Sequence, residues 1–124
     1  MRAPKKILLV DDDRRNIFAL NAVLKARGFT CETASNAYEG LKKLSSDNDI
    51  GIILLDIMMP GMDGFEAIAS IRSNPLTASI PVIAVTAQAM AGDKERCLAA
   101  GANGYISKPV DVDLLMELLT IYMN

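Results

Sequence analysis

Three stretches of this chain are apolar almost without a break: KILLV at 6–10, GIILL at 51–55 and PVIAV at 81–85. A strand with one wet face alternates apolar and polar residues. Continuous short runs belong to a parallel sheet buried on both faces. TCETA at 30–34 is more polar and is expected at an edge, and GYIS at 104–107 is a short fifth strand. Between these runs, apolar residues recur at helical spacing over about 15–27, 36–45, 64–73, 89–100 and 111–122. The last of these carries Leu114, Leu115, Leu118, Leu119 and Tyr122 as one apolar face. Gly28 and Gly101 stand where helix C-caps belong, and Asp111 where an N-cap belongs. Alternating strands and helices with short connections predict an α/β sandwich with right-handed crossovers, a doubly wound five-stranded parallel sheet with helices on both faces. No repeat or linker interrupts the pattern, so residues 1–124 read as one domain.

Composition narrows the chemistry. With three Tyr, three Phe and no Trp, the core must be filled by Ile, Leu, Val, Ala and Met. A net charge of -2 without a basic run argues against direct nucleic-acid binding or membrane-surface attachment. No apolar segment approaches the ~18 residues of a membrane span, and there is no signal-peptide core, so a soluble, cytoplasmic protein is expected. Cys31 and Cys97 fit neither a disulfide framework nor a zinc spacing. The chain has no histidine, which excludes Ser-His and Cys-His catalysis and most transition-metal sites. Carboxylates, hydroxyls, lysines and oxygen-seeking metals are left.

Ligands of open parallel sheets bind beyond the carboxyl ends of the strands. Asp11 and Asp12 follow the first strand, Asp56 ends the third, Thr86 follows the fourth, and the fifth runs through Ser107 into Lys108. Singly, each has a plain structural reading: an Asp after a strand is commonly a helix cap or turn former, and Asp13 is assigned to that role. Together they form a hard-oxygen site of three carboxylates that needs positive charge, and Mg²⁺ assisted by Lys108 supplies it. Such a site suits a carboxylate nucleophile attacking a phosphoryl group. Asp56, alone on the central strand, is the natural nucleophile. Asp12 would bind metal directly and Asp11 through water or in support.

ILLVDDDRRN (7–16), IILLDIMMPGMDGFE (52–66), PVIAVTAQA (81–89) and GANGYISKP (101–109), in this order and at these spacings, resemble the receiver domains of two-component response regulators. The resemblance implies the flavodoxin-like strand order 2-1-3-4-5. It implies Asp56 as phosphoacceptor, Asp11 and Asp12 as the acidic metal pair, and Met58 as donor of a main-chain carbonyl to Mg²⁺. It also implies Lys108 and Thr86 as phosphoryl-binding groups, a cis Lys108–Pro109 bond, and Tyr105 as the aromatic that turns when Thr86 is drawn to the phosphate. The side chains of Met58 and Gln88 would flank the phosphoryl group. Gly61 and Gly64 would supply turn freedom after Asp56, with Asp63 or Gly64 leading into the third helix.

The donor implied is a histidine kinase or a histidine phosphotransfer protein, and the output is contact with a downstream protein. Leu20, Val23 and Leu24 define the core stripe of the first helix, which leaves Arg14, Phe18, Ala22 and Lys25 outward. Arg14 and Phe18 are therefore the expected partner contact. No effector segment follows the last helix, so a stand-alone regulator and a domain of a larger protein both fit, and MRAPKK favours the former. Two rivals stay open. A haloacid-dehalogenase-type phosphatase would use Asp11 as nucleophile with Asp13 two residues on, against an unfavourable Arg15. A flavodoxin-like or receiver-like module would bind without being phosphorylated.

Overall fold

A computed structural model of the chain describes residues 5–87 and 92–123. Within them lie β1 (Lys6–Val10), α1 (Arg14–Ala26), β2 (Cys31–Ala34), α2 (Ala37–Ser46), β3 (Ile50–Asp56), α3 (Gly64–Ser73), β4 (Val82–Thr86), α4 (Asp93–Ala100), β5 (Gly104–Ser107) and α5 (Val112–Met123). The strands form one parallel sheet in the order β2-β1-β3-β4-β5. The polar β2 is at an edge, as its composition predicts. Gln88 and the predicted start of the fourth helix at 89 lie outside the described residues, as do Met1–Pro4 of MRAPKK.

Side chains of a strand point alternately to opposite faces, and both faces are buried here. Leu8, Val10, Ile53, Leu55, Val82 and Ala84 pack against Leu44 of α2, Ile68 and Ile71 of α3, and Cys97 of α4. The intervening Ile7, Leu9, Ile52, Leu54, Ile83 and Val85 pack against Leu20 and Leu24 of α1 and Leu115 and Leu119 of α5. This is why the central strands read as unbroken apolar runs. The α5 stripe is narrower than its pattern predicts: Leu114 lies at its margin, exposed, while Leu115 and Leu119 carry the burial. In α1, Leu20 and Leu24 are buried and Val23 is half-buried.

Helix ends follow the local chemistry. Asp13 caps α1 by accepting the Arg15 N–H, and Asp63 caps α3 by accepting that of Glu66. Asp111 accepts the N–H groups of Asp113 and Leu114 at the start of α5. Gly101 closes α4 in the left-handed conformation, its N–H bonded to the Leu98 carbonyl.

The edge of the sheet opposite the strand carboxyl ends is tied by side chains. Arg72, at the end of α3, donates to the carbonyls of Gly101, Ala78 and Ile80 and to Asn103 Oδ1 at 2.7–3.0 Å. Asn103 Oδ1 also accepts the Val82 N–H at 2.9 Å, and its carbonyl accepts the Tyr122 hydroxyl at 2.9 Å. One asparagine thereby joins α3, β4 and α5.

Candidate functional site

Because the strands are parallel, their carboxyl ends lie on one edge, and the residues that follow them converge there. Asp11 and Asp12 lie just past β1, Asp56 is the last residue of β3, Thr86 the last of β4, and Lys108 the first after β5. Asp56 is in register with Val85 and Thr86 with Ser107. Carboxylate oxygens of Asp11, Asp12 and Asp56 lie within 4.8 Å of one another. Asp11 and Asp56 are buried, whereas Asp12 faces solvent.

Lys108 provides positive charge within this group. Its ammonium is 3.0 Å from Asp11 Oδ2 and 3.5 Å from Asp56 Oδ2. Burial opposes the charge on Lys108, but the hydrogen bond to Asp11 and the nearby carboxylates outweigh it and raise its pKa. The Asp56 pKa is also raised, from the normal carboxylate value up to about 6, by burial first and then by the neighbouring charge of Asp11, with Lys108 only partly offsetting them. Asp56 Oδ1 accepts the Met58 N–H at 3.1 Å, which fixes the turn out of β3. The Lys108–Pro109 bond is cis, and the Lys108 N–H bonds to the Thr86 carbonyl at 2.7 Å.

The loop after Asp56 is shaped by two glycines in different ways. Gly61 has φ +80°, the backbone freedom expected of it. Gly64 does not adopt a positive φ. Its requirement is steric, since a Cβ there would stand 2.6 Å from Ile57 Cα while its N–H bonds to the Ile57 carbonyl at 3.0 Å. The loop is therefore folded tightly onto the strand end that bears Asp56.

Around this core, Thr86 is buried, Tyr105 is partly buried, and Met58 is about half exposed. Tyr105 pairs across from Ala84 and packs on the α2–α4 side of the sheet. A cavity of about 130 Å³ is lined by Thr86 and Met58 together with Phe65, Arg96 and Cys97. Phe18 is 79% exposed on α1 one turn from Arg14, which is also exposed.

Asp13 is not in the acidic cluster found among the described residues. Its carboxylate caps α1 and lies 3.6 Å from Arg15 Nε. One site residue escaped the sequence reading. Asn16, in the first turn of α1, donates its side-chain amide to Asp11 Oδ2. The only sequence signal is an amide side chain at a helical position that turns back toward the strand end.

The sequence profile of the response regulator receiver domain matches residues 7–120. The chain is 43% identical over 116 residues to the sensor histidine kinase RcsC of Escherichia coli K12, an alignment covering 94% of this chain and 12% of RcsC. It is 34% identical over 121 residues to the polar-differentiation response regulator DivK of Brucella anthropi, covering 98% of both. Among solved structures, a response regulator receiver protein from Pseudomonas putida superposes with a TM-score of 0.90 at 29% identity, covering 98% of this chain and 99% of that one. The receiver domain of sensor histidine kinase PA1611 from Pseudomonas aeruginosa PAO1, with a magnesium ion coordinated in its active site cleft, superposes with a TM-score of 0.88 at 31% identity, covering 98% of each.

Proposed function

This chain belongs to the response regulator receiver domain family, and on that footing we propose that it is a phosphorelay switch in which Asp56 takes the phosphoryl group. The observation that carries the reading is the meeting of Asp11, Asp12, Asp56 and Lys108 at one sheet edge. The unit extends over residues 1–124 and acts in the cytoplasm. No described helix is long and apolar enough to cross a membrane.

The donor set fits Mg²⁺, which prefers hard oxygen ligands and binds through one or two carboxylates and phosphate oxygens. Asp11, Asp12 and Asp56 would hold it, with the main-chain carbonyl of Met58. When bound, the metal supplies charge neutralisation at the phosphoryl oxygens. An Asp56 carboxylate oxygen attacks phosphorus in line with the leaving nitrogen of the donor's phosphohistidine. The P–N bond breaks, its electron pair returns to the imidazole, and an aspartyl phosphate remains. The Lys108 ammonium, already 3.5 Å from Asp56 Oδ2, takes one phosphoryl oxygen, and the Thr86 hydroxyl takes another. As Thr86 moves toward the phosphate, Tyr105 turns inward and the surface beside β4 and β5 changes shape. The only chemistry catalysed is the gain and loss of the domain's own phosphoryl group. Neither rival is favoured: the Asp13 needed for the phosphatase spacing serves as a helix cap, and the acidic set is complete beside Lys108.

Intact mass after incubation with acetyl phosphate tests this reading. Mg²⁺ is expected to give a gain of one phosphoryl group, lost on chelation and in Asp56→Asn. An adduct that survives in Asp56→Asn but is lost in Asp11→Asn hands the site to the phosphatase chemistry.

The phosphoryl donor is a histidine kinase or histidine phosphotransfer protein, and the receiver of the signal is a downstream protein. Arg14 and Phe18 are exposed on α1, the helix that follows Asp11 and Asp12, and an exposed aromatic there can fill a partner's pocket. Phe18→Ala is expected to slow transfer from a phosphohistidine protein roughly tenfold, the equivalent of ~1.4 kcal/mol, and to leave uptake from acetyl phosphate unchanged. Equal slowing with both donors, or with neither, removes Phe18 from the interface.

A further inference from the structure

Asp11 carries more hydrogen-bond donors than either neighbouring carboxylate. Its Oδ1 accepts the Asp13 N–H at 2.8 Å, and its Oδ2 faces both the Lys108 ammonium at 3.0 Å and the side-chain amide of Asn16. The Asn16 amide must present its nitrogen, because an ionised carboxylate only accepts. Of the two side chains on Oδ2, one is exchangeable. Lys108 also reaches toward Asp56, and in the proposed reaction its charge is required at the phosphoryl group. Asn16 is anchored in the first turn of α1, three residues past the Asp13 cap, and its side chain has no second duty among its observed bonds.

Resting on the reading of this edge as a Mg²⁺-dependent phosphoacceptor site, we infer that Asn16 is a positioning residue that keeps the Asp11 carboxylate aimed at the metal when Lys108 leaves it. The chemistry suits the task. A cationic side chain at this position would orient Asp11 equally well but would repel the metal, whereas a neutral amide donates without adding charge. With the Asp13 N–H on Oδ1 and Asn16 on Oδ2, both oxygens stay restrained after Lys108 departs. Without Asn16, Asp11 keeps one fixed donor and can rotate about its side-chain bonds. Groups that orient metal-ligating carboxylates in this way typically change metal affinity by about 10–100-fold when removed.

The test is calorimetric titration of the purified chain with Mg²⁺, comparing wild type with Asn16→Ala and with Asn16→Leu, which keeps the side chain's branched shape and removes its donor. Both variants are expected to bind Mg²⁺ about tenfold more weakly, and their uptake from acetyl phosphate is expected to return to the wild-type rate when Mg²⁺ is raised to saturation. Unchanged Mg²⁺ affinity in Asn16→Leu overturns the inference, since packing and not the hydrogen bond would then be what Asn16 supplies. A slowing of uptake that saturating Mg²⁺ does not relieve also overturns it, as does a wild-type chain that binds no Mg²⁺. If wild type binds Mg²⁺ but takes no phosphoryl group, the proposed function fails while the affinities still decide the role of Asn16.

Discussion

Replacing Asp56 by asparagine is expected to raise the stability of the protein at pH 7 in the presence of a chelator, even as it abolishes phosphoryl uptake. Burial and the charge of Asp11 lift the Asp56 pKa from 3.8 to about 6, so the folded chain holds this proton more tightly than the unfolded chain does. The corresponding stability is fully present below pH ~4 and is lost as pH rises through ~6. At neutral pH the metal-free fold therefore bears the whole cost of an ionised, buried Asp56. At about 1.4 kcal/mol per pKa unit, that cost approaches ~3 kcal/mol. Asparagine removes it but deprives Lys108 of one of its two carboxylates, which leaves a net gain of about 1–2 kcal/mol. For a domain of this size the melting temperature should rise by roughly 5–10 °C. Thermal unfolding at pH 7 and pH 4 reads the effect, with the difference shrinking at the lower pH. Saturating Mg²⁺ should also narrow it by stabilising the wild type. A variant no more stable than wild type at pH 7 would mean that Asp56 bears no such penalty.

Arg72→Ala is expected to be strongly destabilising although it lies away from the site. It removes five side-chain hydrogen bonds and leaves the carbonyls of Gly101, Ala78 and Ile80 without their donor. Hydrogen bonds from a charged group contribute about 1.5–3 kcal/mol each, and a deprived buried acceptor costs about 1–3 kcal/mol. Water reaches part of this half-buried position, which brings the expected loss to about 2–4 kcal/mol. That is a large fraction of the roughly 5–15 kcal/mol that holds a domain together. The urea midpoint should fall with its slope unchanged. Arg72→Lys should recover less than half of the loss, because an ammonium cannot reproduce the planar fork that spans two loops and Asn103. Full recovery by lysine would assign the effect to charge alone.

The elements and the acidic cluster were legible in the sequence for a definite reason. Burial on both sheet faces leaves continuous apolar runs, and the parallel arrangement brings every strand's successor residue to one edge. Asp11, Asp12, Asp56, Thr86 and Lys108 could thus be gathered from their positions after KILLV, GIILL, PVIAV and GYIS alone. What depends on side-chain geometry was not legible. The Asn16 amide bonds to a carboxylate five residues earlier, a contact that no periodicity encodes. The Gly64 requirement comes from the approach of Ile57 Cα, a neighbour set by how the loop folds and not by the turn signal PGMDG. Arg72 reads as an ordinary basic residue in the last turn of a helix, since its partners lie 6 to 31 residues farther along. The exposed Leu114 was placed on the α5 stripe because spacing gives a face but not its width.

The bonds gathered on Asn103 give the domain a fixed end. At the fixed end, Arg72, Val82 and Tyr122 converge on a single residue, so α3, β4 and α5 cannot shift there independently. At the opposite end, the same three elements lie next to the strand ends that bear Asp56 and Thr86 and to Lys108 just past β5. Like a reed clamped at its root, the fold is braced at the end away from the acidic cluster, so its rigid base lies opposite the edge where the carboxylates meet.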